Sequence, residues 1–192
     1  MSRRPTDTKQ QILDTATNLF SSHGPCATSV DDILSSVGIT KGAFYHYFKS
    51  KDHLCEVMLD RAVREYQELA KDFQDIDQRP DLLQRWLEVL IEKQTSGQWL
   101  YYSLLVRLSI ESTELNALMQ YKLKTFWSWS QSFYETLIRK SCGADTASTI
   151  PANELARLHM SAHFGAVWLD RCAPAPQDLT TVCETLLKLN AK

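Results

Sequence analysis

Apolar positions recur at three- and four-residue intervals along most of this chain, the period of helices that each bury one face. Polar and turn-forming clusters cut the pattern into segments. In the first, Ile12, Ala16, Leu19 and Phe20 share a face; Asp7 and Gln10 suit a cap on a helix starting near Asp7 or Thr8, and His23-Gly24-Pro25 stops it. A second begins at Thr28 or Ser29, carries Asp31 and Asp32 in its first turn and Val30, Ile33, Leu34 and Val37 on its apolar side, and ends at Gly38. A third opens at Thr40 and runs to Phe48, too short to persist without tertiary packing. The fourth starts at Ser50 and continues to about Phe73, with Leu54, Val57, Met58, Ala62 and Leu69 as a narrow apolar stripe. The polar stretch 75–80 breaks the pattern. Beyond it the spacing predicts helices at about 81–95, 98–110, 114–142, 153–171 and 177–190, bounded by Gly97, Gly143, Ile150-Pro151 and the pair Pro174 and Pro176. The expected architecture is all-α, with about nine helices.

Composition agrees with that pattern. Leucine (25 residues) outnumbers valine and isoleucine (8 each), while glycine and proline contribute only 6 each, a balance that favours helices over sheets. No apolar run reaches the roughly 18 residues of a membrane span, and residues 1–7 are polar rather than signal-like, so a soluble, cytoplasmic protein is expected. The five cysteines (Cys26, Cys55, Cys142, Cys172, Cys183) are scattered and form no CxxC pair, which disfavours a disulfide framework or structural zinc. His159 and His163 stand four apart, a metal-binding spacing, but no third ligand lies near, and neither a metal nor a cofactor is implied. No Ser-His-Asp set, paired carboxylates or phosphate-cradling glycine loop is present, so no enzyme activity is expected. The net charge of −2 announces no polyanionic partner. Placement of the charges is more telling than their sum.

Segments one to three have the proportions of a helix-turn-helix, with the motif at about 29–48 and its turn at Val37-Gly38-Ile39. The start and one side of the third segment hold Thr40, Lys41, Gly42, Tyr45 and His46, a set of hydroxyls, a cation and an imidazole. Phe44 and Phe48 are expected to pack inward against Ile33, Leu34 and Leu19. Lys49 and Lys51 flank the helix N-terminus at Ser50, where backbone amides favour a phosphate, and Arg3 and Arg4 form a short basic arm.

The run from Ala27-Thr28-Ser29-Val30 and Ile33 through Val37-Gly38-Ile39-Thr40-Lys41-Gly42-Ala43-Phe44-Tyr45-His46-Tyr47-Phe48 to Ser50, Lys51 and Leu54 resembles the DNA-binding domain of the TetR family of bacterial transcriptional regulators. The resemblance covers the first 55 to 60 residues. It implies that Thr40, Lys41, Gly42 and Ala43 approach bases in the major groove, while Tyr45, His46, Lys51 and Thr28 mainly touch phosphates; Ser29 and Lys49 complete the candidate DNA-binding set. In two places the chain departs from the family pattern: His46 precedes Tyr47 where Tyr-x-His-Phe is commoner, and Pro25 stands where an aromatic residue is common. The implied organisation is a DNA-binding domain at 1–55, extended by a connecting helix to about 73, and a ligand-binding and dimerisation domain at 74–192.

The larger part is rich in aromatic residues, and its segment 114–142 is apolar on most sides, as in a helix buried among others or lining a cavity. Candidate pocket residues are Trp86, Trp99, Tyr102, Leu105, Trp127, Phe133 and His163. Small residues on segment 153–171 invite close helix approach, so Leu158, Ala162, Gly165, Ala166 and Leu169, with Val182 and Leu186 of the last helix, form the candidate homodimer surface. The expected protein is a homodimeric repressor that binds a palindromic double-stranded operator and leaves it when a bulky apolar or aromatic small molecule binds. The competing expectation is a small-molecule-binding or catalytic helical protein whose helix-turn-helix has a non-DNA role.

Overall fold

In the computed structural model, which describes residues 5–96, 100–141, 150–170 and 178–190, the helical expectation holds throughout. The helices are α1 (Pro5–His23), α2 (Val30–Val37), α3 (Lys41–Tyr47), α4 (Lys51–Gln74), α5 (Leu82–Thr95), α6 (Leu100–Ile110), α7 (Ala117–Ser141), α8 (Ala152–Asp170) and α9 (Asp178–Asn190). A single 3-10 turn, Ser112–Glu114, leads into α7 and was not anticipated from the spacing. The first helix starts at Pro5, before the expected cap, because proline at the first helical position sacrifices no needed N–H and already has a helical φ. No strand occurs among the described residues.

Contacts divide the chain into two compact units, Met1–Glu65 with Leu100–Leu123, and Tyr66–Trp99 with Lys124–Lys192. In the first, α1 presents Ile12, Leu13, Ala16 and Phe20 as one buried face, and both α2 and α6 pack on it. Gly24 ends α1 at φ +90°, a backbone conformation that favours glycine, and its N–H donates to Phe20 O at 2.9 Å. Ion pairing continues the same unit: Lys122 Nζ meets both oxygens of Asp60 at 2.7 and 2.8 Å.

In the second unit, α8 packs on α9, which also meets α5. Its core is an aromatic cluster. Trp86, fully buried, packs edge-on to Tyr66, Phe73 and Phe133 with ring centroids 5.6, 5.2 and 4.9 Å apart. Trp129 stacks on Phe133, and Tyr66 meets Phe126 edge-on at 5.2 Å. Burying one such ring contributes roughly 1.5–3 kcal/mol before packing geometry is counted. The turn before α5 is tied to the end of α7, since Lys140 Nζ donates to Gln74 O at 2.6 Å and Ile76 O at 2.8 Å, and Leu83 N–H to Ser141 Oγ at 2.9 Å.

Candidate nucleic-acid interface

Caps at each junction set the helix-turn-helix. Ser29 Oγ accepts the Asp32 N–H at 3.1 Å, while the Ser29 N–H donates to Asp32 Oδ2 at 2.8 Å, closing a reciprocal capping box at the start of α2. The Ser29 hydroxyl, and after it the Ser29 amide, hold the Asp32 carboxyl below the usual carboxylate range. Gly38, at φ +73°, ends α2 with its N–H on Leu34 O at 2.9 Å. Thr40 then caps α3, its Oγ1 accepting the Ala43 N–H at 3.3 Å. At the start of α4, Ser50 Oγ accepts the His53 N–H at 3.0 Å, and His53 Nδ1 accepts the Lys49 N–H at 3.1 Å.

This framework turns α3 so that Phe44 and Phe48 are buried with Ile33, as the spacing predicts. The other side stays open: Thr40, Lys41, Gly42 and His46 are exposed, and Tyr45 keeps 45% of its surface. Among the described residues, and apart from its chain neighbours and own helix backbone, only Thr40 Oγ1, at 4.0 Å, lies near where a Gly42 Cβ would stand, so the backbone here is free to approach a surface closely. Ala43 is half-buried beside them, and Lys49 is exposed just past the helix. A short helix with a hydroxyl, an ammonium, a bare backbone and an imidazole on its open side fits a major groove, where donors and acceptors on base edges are read.

Two expected contact residues are turned to other work. Thr28 is buried, and its hydroxyl donates to Gly24 O at 2.8 Å. Lys51 directs its ammonium at the carbonyls of Pro25 (2.8 Å) and Thr28 (3.1 Å), which leaves one of its three N–H groups for a phosphate. Both therefore hold the α1–α2 turn first. Arg3 and Arg4 lie outside the described residues.

The same turn is clamped from α6, by residues the sequence pattern does not single out. Arg107 donates to His23 O at 2.8 Å and pairs with Glu111 at 2.7 Å, and Glu111 Oε2 accepts the Cys26 N–H at 3.1 Å. A Cβ on Gly24 would collide with the Glu111 carboxylate and come within 2.7 Å of Arg107 Nε. Arg107 and Glu111 lie about eighty residues from the turn, so only a helical ion-pair spacing was visible in advance.

The candidate pocket residues divide between the units. Tyr102 and Leu105 of α6 are buried in the first. Trp86, Trp127, Phe133 and His163 belong to the second, where Trp86 and Phe133 are core and Trp127 packs edge-on to Phe164 at 5.5 Å. His163 is buried with Nδ1 3.5 Å from the Tyr134 hydroxyl, and burial, reinforced by His159, pushes its pKa down to about 3. Trp99 lies outside the described residues. Among the described residues no group of three or more His, Cys, Asp and Glu is placed to hold a metal ion. Of the candidate dimer residues, Leu158 and Leu169 are exposed at 44% and 54%, Ala162, Gly165 and Val182 are half-buried, and among the described residues no atom beyond its chain neighbours and its own helix backbone lies within 4 Å of a Gly165 Cβ. Ala166 and Leu186 are instead buried within the chain itself.

The sequence profile of the bacterial regulatory proteins of the tetR family matches residues 12–58. The chain is 37% identical over 68 residues to the transcriptional regulator AcrR of Shigella flexneri, covering 35% of this chain and 32% of that protein. It is 34% identical over 90 residues to the regulator EthR of Mycobacterium tuberculosis, covering 45% and 41%. In both the matched stretch spans less than half of the relative. Likeness of fold extends further: a TetR-family transcriptional regulator from Agrobacterium tumefaciens superposes with a TM-score of 0.84 over 96% of this chain and 98% of its own, at 16% identity. A TetR regulator from Chloroflexus aurantiacus covers 100% of this chain with a TM-score of 0.78.

Proposed function

We propose that this chain, a member of the TetR family of bacterial regulatory proteins by its residues 12–58, is a sequence-specific DNA-binding transcriptional regulator acting as a homodimeric repressor. The observation that carries the reading is the open side of α3: Thr40, Lys41, Gly42 and Tyr45 face outward from a helix whose Phe44 and neighbouring Phe48 are buried. Residues 1–55 serve as the reading domain and 74–192 as the ligand-binding and dimerisation domain. Each of two reading domains takes a half-site of a palindromic operator. The exposed Leu158 and Leu169, with Ala162 and open Gly165 between them at spacings of four, three and four, support α8 as the dimer seam. The aromatic cluster around Trp86, Trp127 and Phe133 supports a bulky apolar or aromatic effector. Binding that favours one dimer geometry over another shifts the spacing of the reading domains and releases the operator.

The test is fluorescence anisotropy of the purified protein with DNA flanking its own gene against a scrambled duplex, across a salt series. Tight binding confined to the flanking DNA supports the reading. Equal, weak binding to both duplexes at every salt concentration, with or without aromatic compounds, counts against it.

A further inference from the structure

Cys26 sits exposed on the α1–α2 turn and Cys55 buried in the first turns of α4, and both line one recess with Pro25, Lys51, Asp52, Glu114, Leu115 and Met119. The recess has a volume of about 70 Å³. That is room for about two water molecules, and so for a hydroperoxide, but not for a bulky reagent. The neighbours of Cys26 supply a proton acceptor and one cation. Glu111 Oε2 accepts the Cys26 N–H at 3.1 Å, so a carboxylate able to take a proton stands beside the Cys26 side chain. Lys51, held on the carbonyls of Pro25 and Thr28, places a positive charge beside both thiols and fixes the turn on either side of Cys26.

We propose that Cys26 and Cys55 are a redox-active dithiol, oxidised by hydrogen peroxide to an intramolecular disulfide that ties the α1–α2 turn to α4. The Cys26 sulfur attacks one peroxide oxygen, the O–O bond breaks, and the thiol proton passes through Glu111 to the departing hydroxide, giving a sulfenic acid and water. The Cys55 sulfur then attacks the sulfenic sulfur, the S–O bond breaks, and the Cys55 proton leaves with the hydroxide as a second water. Two thiols are oxidised and one peroxide is reduced to two waters. Closure binds Cys26, whose N–H is held by Glu111, covalently to α4 at the turn that carries the reading helices. The consequence for DNA rests on the function proposed above, but the bond does not.

Burial, then Glu111, raises the Cys26 thiol above its ordinary range, and burial pushes Cys55 up to about 12. Glu111, Glu114 and Lys51 face Cys26, and Lys51, Asp52 and Glu111 face Cys55, so the carboxylates outnumber the single opposing cation. The reaction is accordingly slow at neutral pH and quickens as pH rises.

The experiment treats the native, full-length protein with hydrogen peroxide and maps tryptic peptides without reduction. Each cysteine has its own peptide, 10–41 for Cys26 and 52–61 for Cys55. The expected product is these two peptides joined, lighter by two hydrogens than their sum, and absent after reduction. In Cys55→Ala, helicity is retained and a sulfenic-acid trap labels Cys26 instead. Untouched thiols, Cys26 over-oxidised without a link in the native protein, or Cys26 joined to a second chain would each overturn the proposal. A joined pair with no DNA binding in either state would retain the dithiol and sink the regulatory reading alone.

Discussion

At the helix starts around the helix-turn-helix, order comes from hydrogen bonds made three residues apart: Ser29 with Asp32, Thr40 with Ala43, Ser50 with His53. In the second unit it comes from rings brought together across long sequence intervals, with Trp86 meeting Tyr66, Phe73 and Phe133. The first arrangement leaves one side of a short helix bare and fixed in direction, which suits a surface that must match a rigid duplex. The second is ordered chiefly by the fit of its rings and is sensitive to volume. Over nearly the whole chain the fold persists at 16% identity with a TM-score of 0.84.

That contrast can be broken most directly at the aromatic core. Trp86→Ala is expected to cost roughly 3–5 kcal/mol of stability in a denaturant titration, through lost transfer energy and the cavity left behind. A loss below about 1 kcal/mol would mean that the cluster repacks and that volume is not what holds this unit. In the reading unit, Gly24→Ala is expected to destabilise by roughly 1–3 kcal/mol, because it sets a side chain at φ +90° against the Arg107–Glu111 pair. An unchanged melting temperature would show that the clamp from α6 gives way freely.

Acid sharpens the comparison. His163 is held neutral in the fold, with its pKa down at about 3 against an ordinary 6.5, so the unfolded chain binds its proton first. Stability from this residue is complete above about pH 6.5 and falls toward pH 3, with a slope approaching 1.4 kcal/mol per pH unit. His163→Gln should flatten that slope between pH 6 and 4 in unfolding measurements. The smallest structural effects belong to the open side of α3. Lys41→Ala should leave stability within about 0.5 kcal/mol yet weaken specific operator binding about tenfold or more. Lys49→Ala should weaken binding alike on all duplexes and lower the salt slope by about one. Equal losses of stability in these variants would assign both lysines to the fold rather than to DNA.

How much could be read in advance follows the same division. The helix order, the cap residues Ser29 and Thr40, the turn glycines Gly24 and Gly38 and the inward Phe44 and Phe48 are local consequences of spacing and backbone preference, and they emerge where the pattern puts them. A pocket and a seam were harder to read from one sequence. Leu158 and Leu186 look alike as apolar helix positions, yet one is 44% exposed and the other buried at 4%. Lys51 reads as a surface cation beside a helix start, and the fold directs it onto two carbonyls. Helical periodicity names which face of a segment is buried, since 3.6 residues per turn fix that face from the chain alone. It carries no record of which distant segment will lie opposite. The reach of Arg107 and Glu111 back to the turn at His23 and Cys26, and the placing of Cys26 and Cys55 at one recess, exist only after loops have closed and helices have packed, because those distances are set by tertiary contacts and not by residue spacing.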